Sequence, residues 1–100
     1  AVRAPWQGGE LITKPLKFAG KKLWLNFATS AAGGVRVEIQ DANGRALPGF
    51  TLTDGVEQIG NEIERAVAWR AGDDVSALAG QTVRLRFVMK DAELFSYRFR

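Results

Sequence analysis

Residues 83–90 read Val-Arg-Leu-Arg-Phe-Val-Met-Lys, an eight-residue run in which Val83, Leu85, Phe87 and Met89 alternate with Arg84, Arg86, Val88 and Lys90. A period of two is the signature of a strand with one face in a core and the other in water. Arginine at alternate positions shows which face is wet. The run is preceded by Gly80 and followed by Asp91-Ala92-Glu93, polar punctuation that predicts a turn into a second strand. In that strand Phe95, Tyr97 and Phe99 are expected to face inward, opposite Ser96, Arg98 and Arg100.

The same alternation recurs toward the N-terminus. Over residues 22–29, Leu23, Leu25 and Phe27 oppose Trp24, Asn26 and Ala28; after Gly33-Gly34, Val35, Val37 and Ile39 oppose Arg36, Glu38 and Gln40. These two strands are expected to pair, and Asn43-Gly44 supplies residues suited to a tight turn with positive φ. Gly8-Gly9 opens a further run that Pro15 breaks, and Pro15 favours an edge because it has no N–H to give a ladder. Val67 and Trp69 mark another strand, with Trp69 read as core. Residues 74–79 form one short helical turn, with an Asp near its N-terminus and Gly80 as its stop. Six to eight short strands with turn signals every eight to twelve residues predict an all-β fold: an antiparallel, jelly-roll-like β-sandwich.

At 100 residues there is room for one domain, residues 1–100, with a single core. The first residues, Ala1-Val2-Arg3, carry no initiator Met and no apolar signal core, and we read the chain as an accessory domain excised from a larger protein. No stretch approaches the roughly 18 apolar residues of a membrane span. With no Cys and no His, thiol catalysis, disulfides and thiolate or imidazole metal sites are excluded. Eleven acids in a chain without room for a walled cleft argue against glycosidase chemistry, so no catalytic residue is expected. The net charge of +3 is small, no nucleic-acid-binding signature stands out, and the chain is read as monomeric.

The outward faces supply the candidate ligand residues. Trp24, Arg36, Arg84, Arg86 and Arg98 would form an arginine-rich platform if their strands shared a sheet, with an indole to stack on a sugar ring and guanidiniums to hold sulfate or carboxylate. Against this stands the reading of the same residues as cross-strand ion pairs on a solvated sheet, with Trp24 packed against a neighbouring domain. Trp6 is a second stacking candidate, or a lid closing one end of the sandwich. Asp54, Glu57, Asn61, Glu62 and Glu64 cluster in a polar loop, residues 53–64, and offer oxygens for a structural calcium, with Asp54, Glu57 and Glu62 as the metal candidates; the alternative is acids that solvate a loop.

Five strings in order, LITKPLKF (11–18), KKLWLN (21–26), VRVEIQD (35–41), LPGFTLTD (47–54) and AGQTVRLRFVMKD (79–91), closed by LFSYRF (94–99), resemble a known domain family. It is the C-terminal β-sandwich of planctomycete-type secreted proteins similar to propeller glycoside hydrolases of families 32 and 43, or to sialidases. Where that family often has a Cys after the counterpart of Asp54, this chain has Gly55. The resemblance implies a secreted or periplasmic bacterial enzyme with a separate catalytic domain. This chain would be its carbohydrate-binding module, taking a polysaccharide or oligosaccharide that is sulfated or uronic, or else a structural sandwich that stabilises the propeller without binding a free ligand.

Overall fold

The computed structural model describes residues 2–5 and 8–100, the side chains of residues 62 and 63 excepted. Its strands are β1 (Val2–Ala4), β2 (Gly9–Ile12), β3 (Leu23–Asp41), β4 (Asn61–Ala66) and β5 (Val83–Phe99), all pairing antiparallel in one sheet of order β1-β5-β3-β4, with β2 also on β5. The fold is all-β, and its helical content among the described residues is one 3₁₀ turn, Ser76–Leu78. That turn lies where the sequence placed it: Asp74 Oδ1 accepts from the Ser76 N–H at 2.8 Å, Gly80 stops it at φ 83°, and Leu78 docks in the core.

Two strands expected as four organise everything else. β3 has 19 residues and β5 has 17. Drawn straight, β3 would run about 60 Å, yet the molecule's longest extent is 34 Å. Both strands therefore bend. Phe87 and Tyr97 lie on the one strand β5, about 33 Å apart if it were straight, but their ring centroids are 5.4 Å apart. The paired ribbon of β3 and β5 is folded back so that its two halves enclose one core.

Each half keeps its own register. Leu23 to Thr29 pair with Phe99 to Ala92, and Gly34 to Asp41 pair with Lys90 to Val83, with a shift between Thr29 and Gly34. The stretches 22–29 and 35–40 thus do not form the expected hairpin with each other; each pairs with half of β5. Nor does 91–93 separate two strands. Asp91 bends the strand by taking φ 43°, a left-handed conformation that Asp tolerates better than most residues, and its N–H is held by the Pro5 carbonyl at 2.9 Å. Opposite it, Gly33 lets the two backbones touch: a Cβ there would sit 2.4 Å from the Lys90 carbonyl oxygen and 2.5 Å from that of Asp91.

The first layer comprises residues 23–29, 92–99, β4 and β1; the second comprises 34–41, 83–90 and β2. Between them lie Leu23, Leu25, Phe27, Val35, Val37, Ile39, Val83, Leu85, Phe87 and Met89, the inward set of the alternating runs, all almost fully buried. Phe18 stacks on Phe99 at 3.9 Å. Trp69 is core as expected, and its Nε1–H donates to the Val37 carbonyl at 2.9 Å. That carbonyl lies on the edge of β3 between Ile39, which bonds the segment 47–50, and Val35, which bonds Gln58. The indole closes the gap left where segment 51–57 loops away.

Phe95 departs from its expected inward position. Asn26 pairs with Ser96 but Phe27 pairs with Leu94, so Phe95 is the extra residue of a β-bulge. The bulge moves the inward place to Leu94, which is buried, and leaves Phe95 49% exposed.

Candidate functional site

Folding the ribbon divides the outward residues between two faces. On the first layer, alternation with buried Leu23, Leu25 and Phe27 points Trp24 and Asn26 outward, and the register sets Arg98 beside Trp24 and Ser96 beside Asn26. On the second layer, Arg36, Glu38 and Gln40 stand beside Val88, Arg86 and Arg84. Trp24 and Arg98 are therefore together, and Arg36, Arg84 and Arg86 are together; the strands share one sheet, but the fold in it divides the expected platform. Trp6 lies outside the described residues.

The second-layer face is largely satisfied by its own acids. Arg86 donates through Nε to Glu10 at 2.8 Å and through Nη1 to Glu38 at 3.4 Å. The Glu10 hydrogen bond, foremost, holds the Arg86 guanidinium above its already high ordinary pKa, against a smaller opposing effect of burial. Glu38, 7% exposed, also accepts from Gln40 Nε2 at 2.8 Å and from the Leu52 N–H at 3.3 Å, which ties the 43–52 loop over this end of the sheet. Arg84 Nε and Gln40 Oε1 are buried there without hydrogen-bond partners. Arg36 approaches Glu57 at 4.0 Å beside an open cleft of about 490 Å³, whose walls include Gly8, Gly9, Gly34 and Val88. No aromatic ring is among the described residues that line this cleft.

The first-layer face has different chemistry. Trp24 lines a cavity of about 250 Å³ together with Asn26, Glu64, Ser96 and Arg98, and the edges of Leu25 and Tyr97. Its indole Nε1–H is buried without an acceptor. Arg100 lies over the ring with its guanidinium carbon 4.9 Å from the centroid, and Lys22 Nζ is at 5.8 Å. Glu64 comes from β4, two strands away from Arg98 on β5 and Arg100 just past its end, so its side chain reaches over β3 to meet them. It accepts from Arg98 through Oε1 and from Arg100 through Oε2, the latter at 3.3 Å. One carboxylate thus bridges two guanidiniums above the central strand. Asn26 and Ser96 were readable from alternation as outward residues; Glu64 was read as a loop acid, because the strand it belongs to begins inside what read as a polar loop.

Among the described residues no group of three or more His, Cys, Asp or Glu side chains that could hold a metal ion is found. Asp54 Oδ2 accepts from the Thr51 hydroxyl at 2.9 Å, Glu57 faces Arg36, and the Glu62 side chain lies outside the described residues. Among the described residues no helix is long and apolar enough to cross a membrane. Compared with protein families, with curated proteins and with solved structures, the chain returns no match in any of the three.

Proposed function

We propose that this chain is a non-catalytic carbohydrate-binding module and that it holds its glycan on the outer face of the first layer, around Trp24. The observation that carries the reading is the composition of the Trp24 cavity: one indole, with Asn26, Ser96 and Arg98 beside it as hydrogen-bonding groups. Sugar rings present C–H groups on one face and hydroxyls around the rim, so an aromatic plane bordered by amide, hydroxyl and guanidinium groups is complementary to them. The absence of catalysis is part of the proposal. Glycoside hydrolysis takes two carboxyl groups roughly 5–9.5 Å apart, and Glu64 is the one carboxylate among the described lining residues. The resemblance in sequence extends the reading to a secreted parent enzyme, in which the module would concentrate substrate near a tethered catalytic domain.

Affinity electrophoresis against neutral, uronic and sulfated polysaccharides tests this. Retention of the wild-type chain should fall at least about tenfold in Trp24→Ala, the scale of losing one stacked anchor, and persist in Arg84→Ala plus Arg86→Ala. Retention indifferent to Trp24 overturns the proposal.

A second reading, a sandwich that supports a neighbouring catalytic domain, is favoured by a different observation. Val2, 39% exposed, and the bulged Phe95 border an apolar groove of about 370 Å³ with Leu11, Leu94 and Tyr97. Exposed apolar side chains grouped at a groove are the usual mark of a covered surface. In that case Phe95→Asp would loosen the module from its neighbour and leave glycan retention unchanged.

A further inference from the structure

We propose that Glu64 occupies, in the free protein, the seat that a carboxylate or sulfate of an acidic glycan takes when it binds, so that Glu64 is the site's internal competitor and sets its selectivity for anionic sugars. The inference rests on the reading of the Trp24 face as the glycan site and names the chemistry of what it holds.

Three observations converge on it. Arg98 and Arg100 converge on a single carboxylate, the arrangement that planar two-oxygen anions take between guanidiniums. The bridge lies over the central strand, where it borders the Trp24 cavity, so a ligand entering there meets it directly. Finally, the bridge is held loosely: Arg98 and Arg100 are each 55% exposed and Glu64 36%. Exposed ion pairs contribute little, because water solvates both partners well and salt screens them. A ligand anion that also brings a ring to Trp24 therefore has an advantage over Glu64. Exchange of one carboxylate for another leaves the guanidiniums paired, with Arg100 still beside the indole at 4.9 Å.

Local charge fits an anion. Among the side chains, Arg98 and Arg100 against Glu64 leave one positive charge in excess, while Lys22 over the ring is matched by Asp73 at 3.3 Å.

The test is affinity electrophoresis of the 100-residue chain on polygalacturonate, dextran sulfate and the neutral glucan laminarin, comparing wild type, Glu64→Gln and Glu93→Gln. Glu93 pairs with Arg3 at 2.7 Å on the same layer but away from Trp24, so its substitution removes the same charge without touching the seat. Glu64→Gln should tighten retention on polygalacturonate and dextran sulfate about two- to fivefold, the worth of the exposed pairs it no longer makes, and Glu93→Gln should not. The tightened binding should weaken as NaCl is raised. Thermal unfolding of Glu64→Gln near the wild-type temperature shows that the fold is intact. Equal gains in the two variants, or no gain in Glu64→Gln, overturn the inference. If laminarin retains the wild type through Trp24 while Glu64→Gln has no effect on either polyanion, only this inference falls; if no polysaccharide retains the wild type, the glycan reading falls with it.

Discussion

Gly33→Ala puts the bend in the ribbon to a quantitative test. Gly33 is not among the positive-φ residues, so alanine's backbone preferences are met and the cost is entirely contact. Its Cβ would lie 2.4 and 2.5 Å from two carbonyl oxygens of the facing strand, against about 3.3 Å for the closest comfortable C···O approach. Both obstacles are backbone, at the point where Asp91 is already held in a left-handed conformation, and neither can rotate away. Overpacking of this kind costs about 1–3 kcal/mol, and the upper end applies because two rigid groups are involved. Alanine returns about 0.4–1 kcal/mol by restricting the unfolded chain. A net loss of about 2 kcal/mol lowers Tm by roughly 8–16 °C in a domain of this size. Thermal unfolding followed by circular dichroism reads the change. Gly9→Ala is the matched control, since its Cβ would meet only the Ala4 Cβ at an ordinary 3.5 Å; it should melt at or above the wild-type temperature. If Gly33→Ala melts within about 2 °C of wild type, the two strands do not approach each other as described and the folded ribbon is wrong.

Two further substitutions test how the layers are closed. Trp69→Phe keeps most of the buried ring but removes the donor to the Val37 carbonyl; urea unfolding should show a loss of about 2 kcal/mol, from an unpaired carbonyl and a smaller side chain, and an unchanged midpoint would contradict the edge-filling role. At the 3₁₀ turn, the Ser76 side chain and N–H hold the Asp74 carboxyl below its usual pKa, in that order of importance. A carboxyl depressed in the folded state contributes stability above its unfolded pKa, and that contribution disappears as pH falls through the lower folded value. Asp74→Asn should thus cost more stability at pH 6 than at pH 2.5, whereas an equal cost at both would show that charge plays no part in the cap.

Much of the interior was legible in the sequence because alternation reports directly which side chains face a core. Leu23, Leu25 and Phe27, then Val35, Val37 and Ile39, then Val83 to Met89 all point where their period requires. What alternation does not report is the path of the strand between such runs. Gly33-Gly34 and Asp91-Ala92-Glu93 have the composition of turns, yet they bend two strands that continue, because each half finds its partner in the other long strand rather than in its own neighbour. The bulge at Phe95 is illegible for a related reason: an extra residue shifts phase without leaving a mark in composition. The candidate site inherits both effects. Trp24 and Arg98 were recognisable as outward and do meet, whereas Arg36, Arg84 and Arg86 were grouped with them as sharing a sheet, and strands that share a sheet need not share a face once the sheet folds. Glu64, which organises the first-layer face, belongs to a strand whose residues 61–66 show no apolar alternation, and its role follows from reaching across β3 rather than from sequence spacing.

The claim that a glycan is held on the Trp24 face is tested most directly by backbone amide shifts of the ¹⁵N-labelled chain titrated with an oligosaccharide that the electrophoresis identifies. The account predicts that the perturbed amides cluster at Trp24, Asn26, Glu64, Ser96 and Arg98, with the Trp24 indole N–H among the largest changes, while Arg36, Arg84 and Arg86 stay unmoved. Shifts centred instead on those three second-layer arginines would contradict it and move the site to the other face of the sandwich.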